Sequence, residues 1–466
     1  MLLFELEELH DILDTLVFED HPGIFTDEYA VELVETALHL MDEFICFNPH
    51  IISEPDFQDI LLEEIKYIFY IQLEDHIENL YDDDDIEDDI NELLDDAFNI
   101  FITTFYPDKI QNIYNYEVIE CNNEEINIIT KKIQYLREIP QPLQRTPEWY
   151  KFRWNLITAS NAWKALESQS TINQLIYEKC QPLKDFNNPN EEEQNKMVNA
   201  NTPLHWGQKY EPLTILIYEQ DYNTKVEDFG CIQHSVYKFL GASPDGIIVD
   251  INSSRYGRML EIKNVVSREI NGVPKKEYWT QMQLQMEVCD LDECDFVETK
   301  FVEYPDSQSF YNDTFIDEYG EKNLILSTDN KIKGVILYFH TKESKPFYSY
   351  KPLNITNECD INSWEETEID KYECEPYNYT FFKIIYWKLQ VFSCVLVLRN
   401  RDWFKNNIEQ LEKVWKIIEE ERITGFEHRA PNKKQKKDTK PFVNLNNSQG
   451  CLLKFNKIIK VDTTNI

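Results

Sequence analysis

Two neighbouring segments, LGASPDGIIVD (residues 240–250) and RMLEIKNV (258–265), are apolar and rich in β-branched residues, and the turn-forming INSSRYG (251–257) separates them. That pattern predicts a β-hairpin. Strand side chains alternate between faces, so Glu261 and Lys263 share one face, and Asp245 at the mouth of the preceding strand can meet them. Two carboxylates and a lysine then converge. Hard divalent ions prefer carboxylate and carbonyl oxygens, and such an ion lowers the pKa of bound water and offsets charge on a phosphoryl group under attack. Lys263 would orient or activate that water. An Asp followed by Glu-x-Lys also arises by chance in hairpins with a plain surface ion pair, so the flanking segments have to decide.

Upstream lies HWGQKYEPLTILIYEQ (205–220), where Thr202 and Pro203 read as N-cap and first helical residue and Tyr210, Leu213, Leu216 and Ile217 as a buried stripe. Glu211 sits beside that stripe, a costly place for a carboxylate unless it is paired or holds a metal. Pro212 is expected to bend the helix by omitting one hydrogen bond. Further upstream, WYKFRWNLITASNAWKAL (149–166) places Thr158-Ala159-Ser160 before a short helix. Free N–H groups and hydroxyls at such a start form an anion site or a plain cap, and Arg153 can add a bidentate phosphate contact. Downstream, EYWTQMQLQMEV (277–288) puts Tyr278, Gln281 and Gln285 on one helical face and turns Met282, Leu284 and Met286 toward the core. Gln281 is then within reach of the lysine or of a scissile phosphate.

The order RxxxxTAS, GxxxE, GASPDG, ExK and YxxQ resembles the YqaJ-like viral recombinase family, to which phage lambda exonuclease and related viral alkaline exonucleases belong. The resemblance covers residues 147 to about 305 and extends more weakly to YWKLQVFSCVLVLRNRDWF (386–404). It implies an α/β, restriction-endonuclease-like core of the PD-(D/E)xK type, with a mixed central sheet flanked by helices. It further implies Mg²⁺, with Mn²⁺ as the alternative and two ions in the site, and 5′→3′ digestion of double-stranded DNA from its ends. Carried over by position, Asp245, Glu261, Glu211 and the backbone carbonyl of Ile262 are the metal ligands. Lys263 is the catalytic lysine, Gln281 supports it, and Arg153, Thr158 and Ser160 hold the DNA 5′-phosphate. The implied partners are DNA ends, a single-strand annealing protein and further copies of the chain. Trp154 departs from the pattern, since smaller residues are common after the motif arginine.

The 466 residues include 85 Asp and Glu against 46 Lys and Arg, a formal charge of −39 that argues against binding phosphates. The average misleads. Residues 1–140 hold 37 acids and 5 bases, whereas residues 141–466 are close to balanced with 48 acids and 41 bases. The acidic part reads as a bundle of about four helices over residues 1–106, from stripes such as Leu2, Leu6, Leu9, Leu13 and Leu16, then Val34, Ala37, Met41 and Phe44, and Ile86, Ile90, Leu93, Ala97 and Phe101. The run Asp82–Asp85 reads as a solvated turn or helix face. The stretch PQPLQRTP (140–147) cannot continue a helix and marks a boundary. The expected organisation is an acidic helical domain (1–139), a nuclease domain with a C-terminal helical extension (140–426) and a basic tail (427–466).

Composition narrows the class further. No apolar run is long enough to span a bilayer and the first residues are acidic where a signal peptide is basic, so a cytoplasmic protein is expected, in a host cell or at a viral replication site, without membrane partners. Ten Cys without a CxxC pair are expected to stay reduced, and Cys289 with Cys294 are too few for an iron–sulfur cluster. The competing readings are a structure-specific endonuclease of the same fold and a catalytically silent DNA-binding or interaction protein. In a further one the acidic bundle is an independent partner-binding or DNA-mimicking module.

Overall fold

The computed structural model describes residues 25–48, 51, 52, 54, 56–77, 83–102, 123–183, 202–316, 319, 320 and 322–430. Three acidic helices come first: α1 (Asp27–Phe47), α2 (Phe57–Ile77) and α3 (Asp83–Ile100). Thr26 caps α1 by accepting from the Tyr29 amide. Residues at three- and four-step spacing, Val34, Leu38 and Met41 on α1, Leu61 and Ile65 on α2, Ile90, Leu94 and Ala97 on α3, are all buried, whereas Glu32, Glu43, Glu63, Glu64, Glu87 and Glu92 are exposed. The Leu2–Leu16 stripe, residues 184–201 and the tail beyond residue 430 lie outside the described residues. The acidic run opens α3 from Asp83 onward, with Asp82 outside the described residues.

The next helix, α4 (Asn123–Glu138), is tied to the hairpin and its surroundings by polar contacts. Arg137 forms a fork with Glu227, Thr130 Oγ1 lies 2.9 Å from Tyr256 Oη, and Lys132 reaches Asp290 at 3.3 Å. Gly257, at φ +83°, lets the hairpin turn pass under α4, for a Cβ there would lie 2.3 Å from Ile129 Cγ2. Pro147 opens α5 (Pro147–Trp154), which Thr146 caps through the Trp149 amide. Then follow β1 (Ile157–Thr158), the single turn α6 (Ala159–Ala162), α7 (Gln169–Cys180) and α8 (Pro203–Asp221).

Short strands β2 (Val226–Glu227), β3 (Ile232–Gln233), β4 (Leu240–Ala242) and β5 (Gly246–Ile248) lead to β6 (Met259–Asn264), the helix α9 (Lys276–Cys289) and β7 (Glu293–Glu303). An outer wing follows: α10 (Ser307–Asn312), β8 (Phe315–Ile316), β9 (Lys322–Asn323), β10 (Lys333–His340), β11 (Pro346–Tyr350) and α11 (Glu358–Glu373). The long β12 (Thr380–Leu398) and α12 (Arg401–Thr424) complete the described chain.

The central sheet has seven strands in the order β11-β10-β12-β7-β6-β5-β2, and only β6 and β7 run parallel, so the sheet is mixed. A parallel neighbour demands a crossover, and α9 supplies it. The predicted hairpin is the antiparallel β5–β6 pair, with Gly246 opposite Leu260. Alternation then sorts β6: Leu260 and Ile262 join Tyr218 of α8 and Val297 in one core cluster, whereas Met259 belongs to the larger cluster that includes Trp279 and Met282 of α9. The acidic helical region followed by this mixed α/β core is the expected fold class.

One sequence expectation changes in α8. Leu216 is exposed, because at about 100° per residue it falls roughly 90° to one side of the centre of the Tyr210, Leu213, Ile217 stripe. Pro212 sits inside the helix without ending it, on the exposed side, where water can serve the carbonyl it leaves free. Eight cysteines among the described residues are free thiols. Among the described residues no helix is long and apolar enough to cross a membrane.

Candidate functional site

Glu261 points from the middle of β6 toward α9 and is 1% exposed. A carboxylate there needs partners on both oxygens, and it has them. Lys263 and Gln281 Nε2 bond Oε1, the latter at 2.7 Å, and Gln285 Nε2 donates to Oε2 at 2.7 Å. Gln281 thus meets the carboxylate beside Lys263 rather than the lysine itself. Gln285, fully buried, also donates to the Ser243 carbonyl at 3.2 Å and so links α9 to the loop that carries Asp245.

Asp245 lies between β4 and β5. Its amide donates to the Leu260 carbonyl at 3.1 Å and its Oδ2 accepts from the Ile262 amide at 2.7 Å, which fixes it across the mouth of the hairpin. Gly246 follows because a Cβ there would sit 2.2 Å from Val226 Cγ1. Burial, with Glu261 and Glu211 nearby, pushes the Asp245 carboxyl well above the usual carboxylate range. Glu211 on α8 is raised for the same reasons, burial first and Glu261 second. Burial works against charge on Lys263, but Glu261 and Asp245 together hold its ammonium above the ordinary lysine value. The ring of Tyr278, 4.8 Å from Lys263 Nζ, covers it.

Arg153, next to last in α5, has its guanidinium 4.7 Å from the Trp149 ring centre and only long contacts to Ser243 Oγ (3.4 Å) and Thr158 Oγ1 (3.5 Å). No carboxylate among the described residues pairs with it. Thr158 and Asn161 form a capping box, with the Thr158 amide 3.0 Å from Asn161 Oδ1, and Thr158 Oγ1 lies 3.3 Å from the exposed Ser160 hydroxyl. A cleft of about 210 Å³ joins the two groups: it is lined by Gln144, Trp149, Arg153, Thr158, Ala159 and Ser160 together with Ser243, Asp245 and Gln281.

All predicted side chains therefore gather in one region, with Glu211 at its α8 side. Ile262 contributes its amide to Asp245 and its side chain to the apolar core. Sequence reasoning left Gln285 without a role, although its four-residue step from Gln281 was the available signal. It also passed over Glu298, a buried carboxylate paired in register with Lys263 and bonded to Arg268. Nothing in the local pattern marks Glu298, because only the parallel β6–β7 pairing brings it there.

Among the described residues, no three His, Cys, Asp or Glu side chains stand together so as to hold an ion as placed. The donor chemistry nevertheless fits a hard divalent cation. Asp245, Glu261 and Glu211 all act on Lys263 electrostatically or directly, and the Asp245 and Glu211 carboxyls, raised by burial first and by Glu261 second, would be relieved by a cation beside them.

Residues 148–292 match the family model of the YqaJ-like viral recombinase domain, a span that holds every predicted site residue and Gln285. An uncharacterized protein of Acanthamoeba polyphaga mimivirus is 30% identical over 345 residues, covering 67% of this chain. This chain spans 59% of the length of that relative. An alkaline exonuclease from Laribacter hongkongensis aligns over 59% of this chain and 94% of its own, with 17% identity and a TM-score of 0.32. A phage-related exonuclease from Haemophilus somnus aligns over 57% and 94%, with 13% identity and a TM-score of 0.29.

Proposed function

We propose, for a chain whose residues 148–292 form a YqaJ-like viral recombinase domain, that it is a metal-dependent deoxyribonuclease digesting linear duplex DNA from its ends, 5′→3′, in DNA recombination. The observation that carries this reading is the single cleft in which Arg153, free of any carboxylate among the described residues, faces Asp245 and Gln281. An arginine without an ion-pair partner is a ready phosphate ligand, and a carboxylate in the same cleft suits the metal chemistry of phosphodiester hydrolysis. Arg153, Thr158 and Ser160 take the terminal 5′-phosphate. Asp245, Glu261, Glu211 and the Ile262 carbonyl would hold Mg²⁺, which when bound would supply a polarised water and neutralise developing charge. Lys263, kept protonated by Glu261 and Asp245, orients the attacking water as a donor, and Gln281 and Gln285 hold Glu261 in place.

The test uses the purified chain with end-labelled duplexes. Linear DNA with 5′-phosphate ends should be degraded with Mg²⁺ and spared in chelator, while covalently closed circles should resist. Cutting of closed circles at the linear rate would transfer the site to endonuclease chemistry. A single-strand annealing protein and further copies of this chain are the proposed partners, and the recombining DNA in the cytoplasm is the proposed place of action.

A further inference from the structure

The C-terminal end of α5, one residue from which Arg153 projects, is held by two donors that come from far along the chain. Lys179 Nζ, on α7 and 9% exposed, donates to the Arg153 carbonyl at 3.0 Å. Arg422 Nη2, on α12, donates to the Trp154 carbonyl at 2.6 Å and to the Lys179 carbonyl at 2.8 Å, and its Nε reaches that same carbonyl at 3.1 Å. The Arg422 guanidinium also lies 3.4 Å from the Trp154 ring centre. Trp154 is fixed in turn by its Nε1, which donates to the Gln181 carbonyl at 2.9 Å.

These contacts account for the tryptophan that follows the motif arginine. It is the plate on which Arg422 stacks, and a small residue would leave that face of the guanidinium open. Carbonyls at a helix end have no partner within the helix, so donors placed there fix where the last turn stops and hence where its side chains point. An eight-residue helix has little cooperative stability of its own to do this. Neither Lys179 nor Arg422 lines the cleft.

We propose that Lys179 and Arg422 are positioning residues that set Arg153 for the 5′-phosphate, so that α12 belongs to the end-binding apparatus. This rests on the reading of Arg153 given above. Burial first, and then Arg153 and Arg422, bring the Lys179 pKa down to about 7, so positive charge is crowded behind Arg153 at a cost to Lys179. An anion bound in front of Arg153 gains from that charge.

The test measures kcat and KM of the full chain on linear duplexes with 5′-phosphate and with 5′-hydroxyl ends. The variants are Arg153→Ala, Arg422→Gln, Arg422→Lys, Lys179→Met and the double variant Arg153→Ala with Arg422→Gln. Arg422→Gln and Lys179→Met should each cut the preference for phosphorylated ends roughly tenfold, the size of one lost charge-assisted contact, through KM with kcat little changed. Arg422→Lys should recover part of the preference, and the double variant should lose no more than Arg153→Ala alone. Full preference in folded Arg422→Gln and Lys179→Met, with Arg153→Ala deficient, overturns the positioning role and leaves the site reading standing. Full preference in Arg153→Ala, or none in the parent, overturns both. Should one variant fail to fold, the other decides, with melting curves as the control.

Discussion

Gln285 Nε2 lies 2.7 Å from Glu261 Oε2, which makes a neutral, fully buried amide the partner of the one carboxylate oxygen that Lys263 and Gln281 leave free. An amide fixes the carboxylate without cancelling its charge, so the negative potential needed by a cation survives. Gln285→Leu should therefore lower stability by about 1–3 kcal/mol, the cost of leaving a buried acceptor short of a donor, and slow digestion as well. Urea unfolding and digestion rates measured on the same preparation check this. Wild-type stability in the variant would mean that water replaces the amide.

The acidic pair and the lysine give the sharpest prediction. Asp245→Asn and Glu261→Gln should abolish cleavage while duplex binding holds or tightens, because a ligand charge is lost without disturbing the strand pairing that fixes the hairpin. Lys263→Ala should lose roughly two orders of magnitude in turnover, the scale of a positioned acid–base group. Digestion of labelled linear duplex at parental rates by any of the three would remove it from the site.

The hairpin, the crossover helix and most of the site were legible because their signals are local: two-residue alternation puts Glu261 and Lys263 on one face, and Thr202-Pro203 announces α8. Leu216 was misplaced because a stripe read at loose three- and four-residue steps drifts off the buried face. Glu298 and Arg422 were not legible, since they reach the region through a parallel strand pairing and a contact 268 residues away in sequence from Trp154. Side chains brought in by tertiary packing leave no periodicity to read.

A buried ion cluster on the opposite face of the sheet is predicted to anchor the hairpin. Asp295, 1% exposed, accepts from Tyr218 Oη at 2.5 Å and from Arg258 Nη1 at 3.0 Å, and it pairs with Arg255 as well. Arg258 and Arg255 outweigh burial and hold its carboxyl below the usual range. Arg255→Met should cost about 3–5 kcal/mol, because it strips a buried carboxylate of one of two cations. Adding Asp295→Asn should recover part of that loss in urea unfolding, and a further fall instead would show that the charge is not the source of the cost.

Lys179 yields a prediction about pH. Its folded pKa of about 7 lies below its ordinary value of 10.5, driven down by burial and by Arg153 and Arg422, with Cys231 and Glu178 opposing. Between those two values the unfolded chain binds a proton that the folded chain does not, so this group makes stability rise with pH across that window, and its cost is fully present below it. Lys179→Met should therefore gain less melting temperature than the parent between about pH 7 and pH 9.5. Lys333 and Lys351, each lowered to about 8 by burial, titrate in both proteins and cancel in the comparison. Parallel profiles would show that Lys179 keeps its charge throughout.

The acidic helices are predicted to restrain DNA binding electrostatically. Residues 1–140 hold 37 acids and 5 bases directly before the α5 arginine, and such a field repels duplex. Because α4 is pinned to the hairpin through Arg137 and Thr130, the informative truncation removes residues 1–122 and keeps that helix. The shortened chain should bind duplex non-specifically more tightly at low salt. The difference should shrink as salt rises, because exposed charges are screened beyond about 8 Å at physiological ionic strength. Affinities of both chains across a salt series decide the matter: equal or weaker binding by the truncated chain at low salt would show that the acidic helices act by docking a partner and not as an electrostatic gate.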